Sequence, residues 1–367
     1  MPDFRKILIV KLSSMGDIVH ALPTVTYLRK TAPSAEIHWA VDTRFAELLE
    51  GNPGIAKVVS LPIREWKGRL GSPATWREAR VAAEGLRGGK YDLAIDLQGN
   101  IKSGVVTYLS GAPLRYGFPR ESARERQNLW FTNRHPPAVE EDRHVTRKIL
   151  RVASAPFGGT IPTEDLRGEV VNTAAETEAA SRLLAEALPG TSPRLALHPG
   201  TTWNTKRMDA AFWADTARIV RDAFPGLGVF LSWGTEKERD ECLAIRYMAG
   251  QGVAVLPRLG YKALAAVYRA CGHMIGPDTG PLHLAAVVGA KTVSVYRGSD
   301  GRYAAPVGPA HRFFQAPLPC TACQIKGDKV CPRDAECRAT IKAAEVAAAM
   351  AEFFRGSGAA TTAGDAP

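Results

Sequence analysis

Two short stretches hold the side chains best placed to do chemistry. The first, Asp278-Thr279-Gly280-Pro281-Leu282-His283, follows the apolar pair Met274-Ile275 and leads into a compact apolar segment, residues 282–287, stopped by Gly289. A further apolar run, residues 292–296, comes next, and strand, glycine-bearing turn, helix, strand is half of a nucleotide-binding α/β unit. The amides opening such a helix lack intrahelical partners, and with the helix dipole they form a site for a diphosphate. Thr279 adds a hydroxyl, and His283, one turn in, adds a ring that can donate to a phosphate oxygen. Asp278 would repel phosphate, so it caps the helix or holds a sugar hydroxyl. The second stretch, Lys11-Leu12-Ser13-Ser14-Met15-Gly16-Asp17, is a polar turn following the apolar run 7–10. Asp17 ends that turn, where a carboxylate either caps the next helix or takes a proton from a hydroxyl.

Both stretches need parallel strands to hold them. Residues 7–10 form an unbroken run, the pattern of a strand buried on both faces. A helical pattern covers 18–30, with an irregular turn or kink expected at Pro23. Strands at 36–41, 58–61 and 93–97 alternate with helical stretches at 45–50 and 76–86, and a helix follows at 141–152. The polar connection 158–171 ends this series, and a second one begins with an Ala-rich helix at 174–188. Strands follow at 194–198, 228–232 and 253–256, with helices at 211–223, 237–248 and 261–271. This alternation predicts two Rossmann-like domains with parallel sheets, facing one another, over residues 1–170 and 171–340. A terminal helix is expected over 341–355 and a disordered small-residue tail over 356–367.

The chain has 367 residues, 45% of them hydrophobic and 23% charged, a soluble globular composition. Lys and Arg outnumber Asp and Glu by 47 to 37, and the pI is near 9.4, which suggests an anionic partner. Two basic, aromatic regions stand out in the first half. One holds Arg64, Trp66, Lys67 and Arg69; the other, residues 114–135, holds five arginines among Tyr116, Phe118, Trp130 and Phe131. Arginine forks suit a phosphorylated or carboxylated glycolipid, whereas no nucleic-acid-binding motif accompanies them. No apolar run approaches the roughly 20 residues of a membrane span. A cytoplasmic protein is expected.

In order, the stretch 11–17 with His20, Leu22 and Pro23, then Asp96-Leu97-Gln98-Gly99 with Lys102, then His198-Pro199-Gly200-Thr201-Thr202 ahead of Lys206, then 278–283, resemble the signatures of glycosyltransferase family 9, the lipopolysaccharide heptosyltransferases. The likeness runs from about residue 7 to 354, and 63–66, 123–125 and 133–134 most resemble the branch that adds the first heptose. The resemblance implies a GT-B fold with an acceptor domain, a nucleotide-sugar domain and a deep interdomain cleft. It implies inverting transfer of L-glycero-D-manno-heptose from ADP-heptose to a Kdo residue of lipid A. No cofactor is implied for catalysis and no nucleic acid as partner, only peripheral contact with the inner face of the cytoplasmic membrane. Asp17 corresponds to the general base, while Lys11, Arg64, Lys102 and Arg124 correspond to acceptor-binding positions. Thr201, Thr202 and Lys206 correspond to diphosphate contacts, Glu238 to a ribose contact and Asp278 to the heptose contact. Thr279, Gly280 and His283 complete the donor side.

One cluster stands outside that pattern. Cys320, Cys323, Cys331 and Cys337, within residues 318–338, are separated by two, seven and five residues. Four thiolates at such spacings can wrap a structural Zn²⁺ or iron, or they are four reduced thiols. Pro319, Gly327 and Pro332 argue against a regular element there. Two further readings of the whole chain are transfer of another sugar or to a later core, O-antigen or protein acceptor, and a non-catalytic nucleic-acid- or lipid-binding protein.

Overall fold

The structure is a computed structural model and describes residues 3–161 and 167–356. The chain divides into two compact units, Met1–Val171 and Asn172–Pro367. The tail expected to be disordered lies, apart from Gly356, outside the described residues.

In the first unit, β1 (Lys6–Val10), β2 (Glu36–Asp42), β3 (Lys57–Leu61), β4 (Leu93–Asp96) and β5 (Leu114–Tyr116) form one parallel sheet in the order β3-β2-β1-β4-β5. Residues 7–10 are wholly buried, as a central strand covered by helices on both faces must be. Strand order reverses between β1 and β4, so the connections leaving their carboxyl ends diverge and open a crevice. Residues 11–14 and 97–100 lie at that point.

The helix after β1 starts earlier than its apolar pattern, at Met15, because Ser14 and Asp17 form a capping box around its first turn. It ends at Ala21, and a second helix, Pro23–Thr31, opens with proline in its first turn. The break falls where Pro23 removes an amide donor. In place of the helix expected at 45–50 the chain makes a tighter 3₁₀ turn, Thr43–Leu48, started by the Asp42 side chain accepting from the Arg44 amide. The region 114–135 is less irregular than its composition suggests, holding β5 and a 3₁₀ turn at Arg126–Trp130.

In the second unit, β6 (Arg194–Leu197), β7 (Gly228–Leu231), β8 (Val253–Val255), β9 (His273–Pro277), β10 (Lys291–Tyr296) and β11 (His311–Gln315) form a parallel sheet in the order β11-β10-β9-β6-β7-β8. Its reversal lies between β6 and β9, which are followed by residues 198–202 and 278–280. The terminal helix, Ala343–Arg355, belongs to this unit's core: Val346, Met350 and Phe354 are buried with Trp213 and Val220 of the helix Ala210–Ala223. The cysteine-rich segment is not wholly irregular. A helix, Asp334–Ala339, forms after Pro332, where the backbone is free of proline and glycine.

Candidate functional site

At the crevice of the first sheet the Asp17 carboxylate accepts from the Ser14 amide (3.2 Å), the Ser14 hydroxyl (3.0 Å) and Arg124 Nη2 (2.6 Å). It therefore both caps its helix and pairs with a cation. Lys11 is buried, and its ammonium donates to the Leu97 carbonyl at 2.7 Å. Burial pushes the Lys11 ammonium down to about 8, against the opposing pull of Asp17. Burial would raise the Asp17 carboxyl, but Lys11, Arg124, the Ser14 amide and His20 outweigh it and hold the group well below the ordinary carboxylate range.

A buried hub beneath this pair fixes its geometry. Asp96, at the end of β4, accepts from the Gln98 and Gly99 amides, the Ser103 hydroxyl and Asn128 Nδ2. Burial still pushes its carboxyl upward. Gln98 Oε1 accepts from the Leu12 and Ser13 amides at 2.6 and 3.1 Å, tying the two crevice loops together. Gly99 has φ +72°, and a Cβ there would stand 3.0 Å from Phe118 and 3.4 Å from the Arg124 amide. Glycine therefore lets the strand-end turn pass under Arg124. Glu125 locks the crossing, its amide donating to the Gly99 carbonyl and its carboxylate accepting from the Ile101 amide.

Beside this pair lies a cavity of about 290 Å³, lined by Arg44, Arg64, Lys67 and Lys102 around Asp42. Asp42 is buried and accepts from the Arg44 guanidinium, at 2.8 and 3.2 Å, and from the Arg44 and Arg64 amides. Of the residues expected on the acceptor side, Arg64 and Lys102 line the cavity, while Lys11 and Arg124 sit on Asp17 instead. Arg44, Asp42 and Asn128 carry no sequence signal that separates them from strand ends and surface loops, whereas Asp96 opens one of the four signatures. Lys67 stands in the basic stretch already noted.

The second unit carries its own cluster. Asp278, just past β9, is buried and pairs with Lys206 (2.5 Å) and with His283 Nε2 (3.3 Å). Burial would raise its carboxyl, yet His283 and Lys206 hold it far below the usual range. The Thr201 hydroxyl donates to the Asp278 carbonyl at 3.0 Å, while Thr202 is exposed. Lys206 also lies 4.0 Å from the centroid of the Trp203 ring, in cation–π range. Thr279 is the cap position of the helix Gly280–Val287, whose first turn holds Pro281. Glu238 caps the helix Glu236–Ala249, its Oε2 accepting from the Gly234 and Thr235 amides. Its carboxylate overlies Gly200, where a Cβ would stand 2.6 Å from Oε1, so glycine is needed for that approach. His198 is buried with Nδ1 3.0 Å from the Ser232 hydroxyl, and burial pushes its ring down to about 4, a neutral packing residue.

Cys320, Cys323, Cys331 and Cys337 line one small cavity of about 10 Å³ with Arg297 and Arg333. The Arg333 guanidinium lies 3.8 Å from Cys320 Sγ, and burial pushes the Cys337 thiol up against a hydrogen bond from Arg297. Among the described residues no set of three or more His, Cys, Asp or Glu side chains is arranged to hold a metal ion. The four thiols line one cavity, with Cys320 beside Arg333 and Cys337 beside Arg297.

The description glycosyltransferase family 9 (heptosyltransferase) matches residues 80–332. Lipopolysaccharide heptosyltransferase 1 of Pseudomonas aeruginosa is 31% identical over 322 residues, 88% of this chain and 86% of that protein. The protein of the same name from Escherichia coli K12 is 26% identical over 85% of this chain and 94% of its own length. Among solved structures, E. coli heptosyltransferase WaaC with ADP-2-deoxy-2-fluoro heptose superposes with a TM-score of 0.70 at 25% identity, over 85% of this chain and 93% of that one. The two doubly wound parallel sheets are thus those of the GT-B glycosyltransferases.

Proposed function

This chain belongs to glycosyltransferase family 9, and from that premise we propose that it moves L-glycero-D-manno-heptose from ADP-heptose to a Kdo residue of lipid A, inverting the anomeric centre. The observation that carries the reading is Asp17, an ionised carboxylate ringed by Lys11 and Arg124 beside a cavity lined by four further cations. A Kdo-lipid acceptor brings carboxylates and phosphates, which such a cavity recognises through bidentate and point-charge contacts. The donor class is supported by the ADP-sugar ligand of the E. coli WaaC structure.

In this reading Asp17 takes the proton of the acceptor hydroxyl as its oxygen attacks the anomeric carbon. The carbon–oxygen bond to the β-phosphate breaks and ADP leaves. Charge growing on the leaving diphosphate is met by Lys206, by the hydroxyls of Thr201, Thr202 and Thr279, and by the helix beginning at Gly280. His283 and Lys206 keep Asp278 ionised, so it can accept from heptose hydroxyls. Glu238 Oε1, over Gly200, takes the ribose, since Oε2 is occupied by the helix cap. Arg124 covers Asp17 Oδ1, and its side chain is half-exposed, free to turn toward an acceptor anion. That turn would remove one of the charges depressing Asp17 and strengthen it as a base. The chain acts in the cytoplasm, in peripheral contact with the inner face of the membrane. The cysteine spacing carries a separate expectation of a structural zinc or iron. Metal analysis of the intact protein tests it: one equivalent per chain supports the clip, and a metal-free active protein removes it.

The direct test incubates the protein with ADP-heptose and Kdo-lipid A. Asp17→Asn should lower turnover by about 10²–10⁴-fold. Turnover near wild type would remove Asp17 as the base, and a product of retained configuration would remove inversion.

A further inference from the structure

The cysteine-rich loop is hydrogen-bonded directly onto the turn that carries Lys206. The Asn204 amide donates to the Gly327 carbonyl at 3.0 Å, and the Thr205 hydroxyl donates to the Ile325 carbonyl at 2.7 Å. On the other side, the Gln324 amide donates to Gly298 and the Gly298 amide to Thr205. Arg297, wholly buried, closes the arrangement by donating to the Arg207 carbonyl and to both the carbonyl and carboxylate of Asp334. Residues 324–327 are thereby tied to residues 203–207 by hydrogen bonds.

One consequence is the position of Lys326. Its ammonium lies 5.7 Å from the centroid of the Trp203 ring, the same ring that carries Lys206 at 4.0 Å. Two cations gathered on one indole make a local positive site that favours an anion. Asp278 answers only the Lys206 charge, and among the described residues no carboxylate pairs with Lys326, which is exposed. A ligand bearing two adjacent phosphates presents negative charge to both of the lysines that share the Trp203 ring.

We propose that Lys326 is a donor-site residue, acting with Lys206 on the diphosphate of a nucleotide sugar, and that the cysteine-rich loop forms the outer wall of that site. The assignment rests on the donor reading of residues 201–206 and 278–283 given above.

Calorimetric titration of ADP into the full-length protein tests it, with Lys326→Ala and Lys326→Arg alongside wild type. Lys326→Ala should weaken ADP by about fivefold to twentyfold, the weight of a charge-assisted phosphate contact at a partly open site. Lys326→Arg, which keeps the charge, should retain most of the affinity. Wild-type affinity in Lys326→Ala would overturn the assignment, as would equal weakening by both substitutions, which would make the effect one of loop shape. Wild type that does not bind ADP at all would instead overturn the underlying donor reading.

Discussion

A carboxylate that takes a proton works best when its pKa lies near the working pH. Asp17 is held well below that, although burial pushes it the other way, by Lys11 and Arg124. As the proposed base, Asp17 is therefore ionised at working pH and intrinsically weak, and the charges around it become part of the chemistry. Lys11 is the one that titrates in reach, because burial has brought it down to about 8. Below that pH the ammonium is charged and adds to the positive field that draws an anionic acceptor; as pH rises through about 8 that attraction is lost, and this outweighs the gain in Asp17 basicity. The kcat/KM profile should fall on the alkaline side with a midpoint near 8, and Lys11→Arg should shift that limb upward. An unchanged limb in Lys11→Arg would show that the Lys11 charge plays no part. The same shift bears on stability. The unfolded chain, with Lys11 at its ordinary value of 10.5, binds more protons between pH 8 and 10.5, so this residue makes stability rise across that window. At this scale the sequence exposes Asp17, Lys206 and Asp278 because they sit in short contiguous signatures. Asp42 and Arg44 stay hidden, since their importance arises only when the start of the helix Ile63–Gly68 folds back on the end of β2.

Elements decide how accurately these side chains are held. The turn after β4 carries no proposed catalytic group, yet it supports Lys11 through Leu97, the 12–13 amides through Gln98, and Arg124 through Gly99. Gly99→Ala would put a Cβ against Phe118 and the Arg124 amide at a φ of +72° that alanine rarely adopts. The expected cost is about 1–3 kcal/mol of stability, read from thermal unfolding, together with a loss of turnover greater than that stability loss explains. A Gly99→Ala protein with wild-type turnover would mean that the Arg124 segment does not need this close approach. Removing the hub should be harsher. Asp96→Ala leaves buried donors from Gln98, Gly99, Ser103 and Asn128 without their acceptor, and unfolding should be eased by about 3 kcal/mol or more. The central strands are legible from sequence because parallel strands buried on both faces read as continuous apolar runs. Of the edge strands, β3 and β8 still read as short apolar runs, whereas β5, only Leu-Arg-Tyr, and β11, His-Arg-Phe-Phe-Gln with Arg312 and Phe313 exposed, do not. The helix Asp334–Ala339 is hidden by the prolines before it and held by Arg297 from a distant strand end.

At the scale of the molecule, charge is spread over both units. Residues 1–171 carry 25 Lys and Arg against 19 Asp and Glu, and residues 172–367 carry 22 against 18. No described helix is long and apolar enough to cross a membrane, and the proposed acceptor is borne on a lipid. The first unit has a face suited to that. The helix Ile63–Gly68 contributes Arg64 and Lys67 to the basic cavity, and just beyond it Leu70 and Trp76 are exposed, at 56% and 62%, among Arg69, Arg77 and Arg80. The Trp76 indole donates to the Leu70 carbonyl, which keeps the two apolar groups together. Basic side chains near an anionic bilayer contribute about 1 kcal/mol each, and an exposed tryptophan adds apolar burial at the headgroup level. The protein should therefore co-sediment with vesicles containing phosphatidylglycerol at low salt and be released at high salt. Trp76→Ala with Leu70→Ala should weaken that binding about tenfold while sparing transfer to a detergent-dispersed acceptor. If anionic vesicles bind no better than neutral ones, the peripheral contact is wrong. If the double variant binds as tightly as wild type, the contact lies on another face, and the net charge alone draws the enzyme to its lipid.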